Sequence, residues 1–144
     1  MELEEIVAAL NRNLEKEYAS VLLYIQFSGD PRISKDPELP RIISGLAEDE
    51  MRHAEKLADT IAEIGGKSTW HLAPFDKKKT LRESLERIVH LEAEAMKEYS
   101  ALIARLANMP RIQRALEEML RDEKRHKAQT ERILKRHKAL PGAF

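Results

Sequence analysis

Two Glu-x-x-His pairs, Glu50/His53 and Glu123/His126, lie in near-identical hexapeptides, Asp49-Glu50-Met51-Arg52-His53-Ala54 and Asp122-Glu123-Lys124-Arg125-His126-Lys127. On a helix, a carboxylate and an imidazole three positions apart sit one above the other on one face, so both can reach a single cation. Each pair falls in phase with a run of apolar residues, where leucine would be expected, and Glu17 and Glu92 do the same on two further runs. Charged side chains are almost never buried unless they are paired or bind metal. Four ionised glutamates aimed into one core would repel one another and carry a heavy desolvation cost, which two divalent cations would balance. Oxygen and imidazole donors suit iron, manganese or zinc, and a chain without cysteine lacks the thiolates of a tetrahedral structural zinc site. Six ligands shared by two metals leave open positions, and two metals roughly 3.5–4 Å apart can hold one small molecule between them, for iron dioxygen or peroxide.

The bland alternative is accident. In a chain so rich in glutamate a single Glu-x-x-His pair arises easily, and it would then mark a partly hydrated bundle whose acids face a cleft. The coincidence of all six residues with apolar stripes on four separate helices favours metal.

Those stripes define the elements. The first helix is expected from about Leu3 to Phe27, with Ile6, Leu10, Leu14, Glu17, Val21, Tyr24 and Ile25 on one face and a stop at Gly29-Asp30-Pro31. The second opens at Asp36-Pro37, an N-cap followed by proline, and carries Ile43, Leu46, Glu50, His53, Leu57, Ile61 and Ile64 to Gly65-Gly66. The third starts at a capping box, Thr80-Leu81-Arg82-Glu83, and aligns Leu81, Leu85, Ile88, Glu92, Ala95, Tyr99, Leu102 and Leu106, with Glu94 and Glu98 off the stripe as surface acids. The fourth follows Asn108-Met109-Pro110 and aligns Ile112, Leu116, Met119, Glu123, His126, Thr130, Ile133 and His137, ending by Pro141-Gly142. Alternation at period two is missing throughout, so the chain reads as all-α.

Connection lengths arrange these helices. Short gaps after the first and third force antiparallel hairpins, whereas about 15 residues from Gly65 to Lys79 reach roughly 50 Å, enough to cross a bundle about 40 Å long. Two hairpins joined by a long crossover is a known four-helix-bundle arrangement. A single domain over 1–144 is expected, with the crossover at about 65–79, a short tail at 138–144, and Trp70 packed against the outside. The halves also repeat: each hairpin supplies one glutamate from its first helix and a Glu-x-x-His from its second, and Tyr24 and Tyr99 stand equally far beyond Glu17 and Glu92. Both tyrosines read as core aromatics with satisfied hydroxyls before any redox role. His71 and His90 read as surface or packing residues, His137 as packing at a helix end, and Lys77-Lys78-Lys79 as a solvated loop end.

Composition bounds the rest. At 144 residues the chain can bury roughly 68–70% of its unfolded surface. Lysine plus arginine equal aspartate plus glutamate at 25 each, which offers no basic footprint for nucleic acid. No apolar run approaches the roughly 20 residues of a spanning helix, and no leader pattern opens the chain. A soluble cytoplasmic protein is expected, and long amphipathic helices leave room for a homo-oligomer, a dimer or larger.

With these residues in view, the chain resembles the ferritin-like superfamily, and within it the bacterioferritins, across nearly all of its four helices. Glu17 with Tyr24 resembles the first-helix motif, Glu50-Met51-Arg52-His53-Ala54 the second, Leu91-Glu92 the third and Asp122-Glu123-Lys124-Arg125-His126 the fourth. The resemblance implies two iron ions per chain, with manganese or zinc as substitutes: Glu17 and His53 on one, Glu92 and His126 on the other, Glu50 and Glu123 bridging. It implies a ferroxidase that oxidises Fe(II) with dioxygen or hydrogen peroxide, in iron detoxification or storage. Met51 stands where bacterioferritins place a haem-ligating methionine, and methionine is equally an ordinary gap-filler at helix contacts. Bacterioferritins carry a fifth helix beyond the fourth, which this chain does not match, so a mineral-filled cage is not implied. One alternative is a rubrerythrin-like peroxide reductase served by an electron-donor protein. Against it, Ala95 stands where those relatives carry an extra carboxylate, and no cysteine is present for a rubredoxin iron. The other is a metal-stabilised helical assembly protein without catalysis.

Overall fold

A computed structural model describes residues 2–74 and 80–136. Four long helices carry the chain: α1 Leu3–Ser28, α2 Leu39–Glu63, α3 Leu81–Ala104 and α4 Pro110–Arg136, with a 3-10 helix at Pro31–Lys35. No strand occurs among the described residues.

Local chemistry sets the boundaries. Thr80 caps α3 by accepting the Glu83 N–H at 3.0 Å. At the end of α2, Gly66 N–H returns to Ile61 O (2.9 Å) and Gly65 N–H to Ala62 O (3.0 Å), the paired bonds of a Schellman stop. Gly65 takes φ +82°, open to glycine at no steric cost. At Gly66 an added Cβ would lie 2.8 Å from the Val7 methyls of α1, so this turn packs tightly against α1.

Three boundaries and faces differ from expectation. α2 begins at Leu39, with Pro40 in its first turn, and not at Asp36-Pro37. Asp36 instead ends the 3-10 helix and accepts the Glu38 N–H at 2.9 Å, a turn placed just ahead of the helix. On α1, Ile25 is 50% exposed and Val21 only half-buried, while Leu23 and Phe27 enter the core beside Tyr24. One position along a helix is a rotation of about 100°, which carries Ile25 off the face that Tyr24 occupies. Trp70 is 95% exposed and does not pack on the bundle. The crossover is held by polar contacts in its place: Asn11 Nδ2 to Lys67 O (2.9 Å), Thr69 N–H to Asn11 Oδ1 (2.8 Å), Thr69 Oγ1 to Glu15 Oε1 (2.9 Å) and Ala73 N–H to Glu15 O (3.0 Å). Lys77-Lys78-Lys79, His137, Pro141-Gly142 and the tail at 138–144 lie outside the described residues.

These contacts give the direction of the crossover: as it advances from Lys67 to Ala73, its partners advance from Asn11 to Glu15. It therefore runs alongside α1 from the first hairpin's open end toward the other, where α3 begins. α1 packs chiefly on α2 and α3 chiefly on α4, and the hairpins meet through α1 with α3 and α2 with α4. The core is divided in two. One apolar cluster holds Leu10, Leu14, Leu57, Ile61, Leu102 and Met119, and the other holds Leu23, Phe27, Ile43, Leu46, Ile88 and Ile133. Between them lies a layer of buried ionisable side chains.

Candidate metal centre

Each helix interrupts its leucine stripe at the same level. α1 places Glu17 between Leu14 and Leu23, α2 places Glu50 and His53 between Leu46 and Leu57, α3 places Glu92 between Ile88 and Tyr99, and α4 places Glu123 and His126 between Met119 and Ile133. All six residues are buried, none more than 3% exposed. They form two overlapping groups, Glu17, Glu50, His53 and Glu123, then Glu50, Glu92, Glu123 and His126, each with one donor atom per residue within 4.8 Å of the others. Glu50 and Glu123 belong to both.

The two histidines lie between carboxylates of both hairpins. His53 Nδ1 is 2.9 Å from Glu123 Oε1, 3.6 Å from Glu50 Oε2 and 3.7 Å from Glu17 Oε2. His126 Nδ1 is 3.0 Å from Glu50 Oε1 and 3.8 Å from Glu92 Oε2. Glu50 thus turns one oxygen to each imidazole. Close as these atoms are, Glu17 Oε2, Glu50 Oε1, His53 Nδ1, Glu92 Oε2, Glu123 Oε1 and His126 Nδ1 make no hydrogen bond of acceptable geometry. One unsatisfied atom on each of six buried polar residues, all converging, is what a folded protein avoids unless something else satisfies them. Their chemistry, carboxylate oxygen and imidazole nitrogen, fits divalent iron, manganese or zinc.

The other polar atoms of Glu17, Glu92, His53 and His126 are engaged. Tyr24 on α1 donates its hydroxyl to Glu92 Oε1 on α3 at 2.7 Å, and Tyr99 on α3 donates to Glu17 Oε1 on α1 at 2.6 Å. His53 Nε2 meets Asp122 Oδ2 at 2.9 Å, and His126 Nε2 meets Asp49 Oδ2 at 2.7 Å. A carboxylate only accepts, so the hydrogen sits on Nε2, and with a cation bound each neutral imidazole would turn its Nδ1 lone pair toward the centre. Such outer carboxylates fix ring orientation and raise ligand basicity.

Without metal, the electrostatics are those of a crowded buried cluster. Burial, then the Glu17 charge, pushes the Glu50 carboxyl up to about 8. Burial also raises Glu92, whereas for Glu17 the facing Glu50 carboxyl, the His53 imidazole and the Tyr99 hydroxyl together outweigh burial and lower it. Burial pushes both histidines down, but the facing glutamates win and raise His53 to about 11 and His126 to about 9. Burial and the adjacent carboxylates hold both tyrosine hydroxyls well above their usual range. Protons therefore occupy the cluster when cations do not.

Met51 is 50% exposed and stands outside this cluster. His71 is exposed, and His90 pairs with Glu94 at 3.1 Å on the surface, as expected. Asp49 and Asp122 were not singled out from the sequence as site residues. Each directly precedes a core glutamate, about 100° off the apolar stripe, where it reads as a surface acid. The available signal was their repetition at the same place in both hexapeptides.

A family model for the ferritin-like domain matches residues 7–140. No curated protein matches the chain. Among solved structures it is similar to a ferritin-like, di-iron-carboxylate protein of Bacillus anthracis, at 28% identity, covering 93% of this chain and 99% of that one, with TM-score 0.86. It is also similar to a mycobacterial bacterioferritin, at 26% identity, 95% and 87% coverage and TM-score 0.85. A bacterioferritin of Desulfovibrio desulfuricans shares the fold at 23% identity, 96% and 82% coverage and TM-score 0.82. Since the family model spans all four helices and every one of the six convergent side chains, the chain belongs to the ferritin-like family.

Proposed function

We propose that this protein is a di-iron oxidase of the ferroxidase type, taking Fe(II) as substrate and dioxygen or hydrogen peroxide as oxidant, in iron detoxification or storage. The observation that carries the reading is the set of six buried, unsatisfied donor atoms converging from four helices. Glu17 and His53 would hold one ion, Glu92 and His126 the other, with Glu50 and Glu123, common to both groups, between them. Two ferrous ions supply two electrons, enough to reduce dioxygen to hydrogen peroxide with two protons, or hydrogen peroxide to two waters with two protons.

The chain's own residues prepare that chemistry. Four carboxylates and two neutral imidazoles balance two divalent charges, so cation entry removes both the mutual repulsion of the glutamates and the protons that relieve it. Tyr24 and Tyr99 leave one oxygen each of Glu92 and Glu17 for the metal and hold the other. Asp49 and Asp122 keep the imidazoles turned inward. The apolar clusters on both sides exclude bulk water, which strengthens every charge interaction in the layer. Similarity to a di-iron-carboxylate protein and to a bacterioferritin supports the reading.

Glu50→Ala and Glu123→Ala test it. Both variants are expected to lose rapid ferrous oxidation, followed by ferric absorbance, while circular dichroism shows the helices retained. Oxidation at the parent's rate by either variant would overturn the catalytic role.

A further inference from the structure

Arg52 and Arg125 occupy equivalent places in the repeated string Asp-Glu-x-Arg-His, one residue before each histidine. Their side chains are used differently. Arg52 pairs with Asp49, three residues earlier on its own helix. Arg125 Nη2 lies 3.2 Å from its own Asp122 and also crosses to Asp49 on α2 at 2.8 Å. These are the two aspartates that accept the Nε2 hydrogens of His53 and His126. A continuous chain of polar contacts, His53 to Asp122 to Arg125 to Asp49 to His126, therefore runs around the outside of the cluster from one imidazole to the other.

We propose that Arg125 is a positioning residue shared by both metal positions, acting through Asp122 on His53 and through Asp49 on His126. The inference rests on the metal-centre reading above and adds a residue to it. The two aspartates come from different helices and are both partly open to water, with side chains 13% and 29% exposed. Nothing within either helix holds Asp122 toward α2 except its contacts with His53 and Arg125. Remove the guanidinium and Asp122 keeps only His53, while Asp49 keeps only Arg52 and His126. Each imidazole then loses some of the restraint that aims its Nδ1 inward, and ligand orientation is where outer partners exert their effect on affinity. Arg52 reaches only one aspartate, so its removal leaves the bridge intact.

Anaerobic titration of the metal-free protein with Co(II), followed by ligand-field absorption, separates these roles. The parent is expected to bind about two Co(II) per chain. Arg125→Met should weaken both positions by about tenfold, the lower end of the roughly 10–100-fold range for outer partners, and alter the spectrum of both. Arg125→Lys, which keeps the charge, should recover part of the loss, and Arg52→Met should leave both positions at parent affinity. The melting temperature of the metal-free variants is the control: a half-exposed ion pair contributes little to folding, so it should stay within a few degrees of the parent. If Arg125→Met melts far lower, the lysine variant carries the comparison. Parent affinity and spectrum in Arg125→Met, or weakening at one position alone, would overturn the inference while leaving the metal centre standing. A parent that binds no Co(II) would overturn the metal centre and the inference with it.

Discussion

Glu50 is the most telling single residue. It is 1% exposed, and in the metal-free chain burial and the neighbouring glutamates raise its carboxyl to about 8. On the di-iron reading, a side chain in that position serves binding at the expense of folding. Glu50→Gln, which keeps the shape and removes the charge, should leave the metal-free protein about as stable as the parent, because the buried carboxyl is already held largely protonated near neutral pH. The same variant should lose the stabilisation that Co(II) gives the parent, and melting curves with and without Co(II) check both halves. The outer partners act more gently. Asp122→Asn, which weakens the acceptor for His53, should lower Co(II) affinity by roughly 10–100-fold without abolishing binding, as isothermal titration would show. At this scale the sequence was informative about the six inward residues, because phase with leucine exposes a misplaced charge. Asp49, Asp122 and Arg125 were not legible, because their importance lies in contacts between α2 and α4 that no spacing within one helix encodes.

The elements follow from short signals of differing strength. Thr80 and the Gly65-Gly66 turn were readable because each acts locally, through one cap bond or one positive φ. Thr80→Ala should cost about 1 kcal/mol of stability, measured by urea unfolding, since the Glu83 N–H loses its acceptor. Leu57→Ala, in the apolar cluster on one side of the layer, should cost about 2–5 kcal/mol in the same assay. The start of α2 lies about half a turn later than Asp36-Pro37 suggests, with Glu38 at the N-cap. Asp36-Pro37 has the residue types of a helix start, but here they close a turn between the 3-10 helix and α2, and the 3-10 helix left no periodic trace of its own. Ile25 and Trp70 were misjudged for a related reason: hydrophobic character suggests burial, yet the register of α1 and the polar seam beneath the crossover decide what is covered.

Taken as a whole, the molecule is two hairpins stitched crosswise: Tyr24, Tyr99, His53 and His126 each bond a carboxylate of the other hairpin. Protons and metal compete for that seam. The folded, metal-free chain binds more protons than the unfolded chain wherever a site group is raised: Glu50 from its ordinary 4.5 to about 8, His126 from 6.5 to about 9, His53 from 6.5 to about 11. Stability of the metal-free form should therefore fall as pH rises through these windows, and the lowered Glu17 and Asp122 act in the opposite sense only in acid. Metal binding displaces the same protons, so the gain in melting temperature from Co(II) should grow between about pH 6 and pH 9 as that of the metal-free protein declines. Scanning calorimetry across that range checks the two slopes together. The most direct test of the di-iron oxidase reading is aerobic titration of the metal-free protein with Fe(II), followed by ferric absorbance. A paired site predicts rapid oxidation with a break at about two irons per chain; oxidation no faster than in buffer, or a break at one iron per chain, would contradict it.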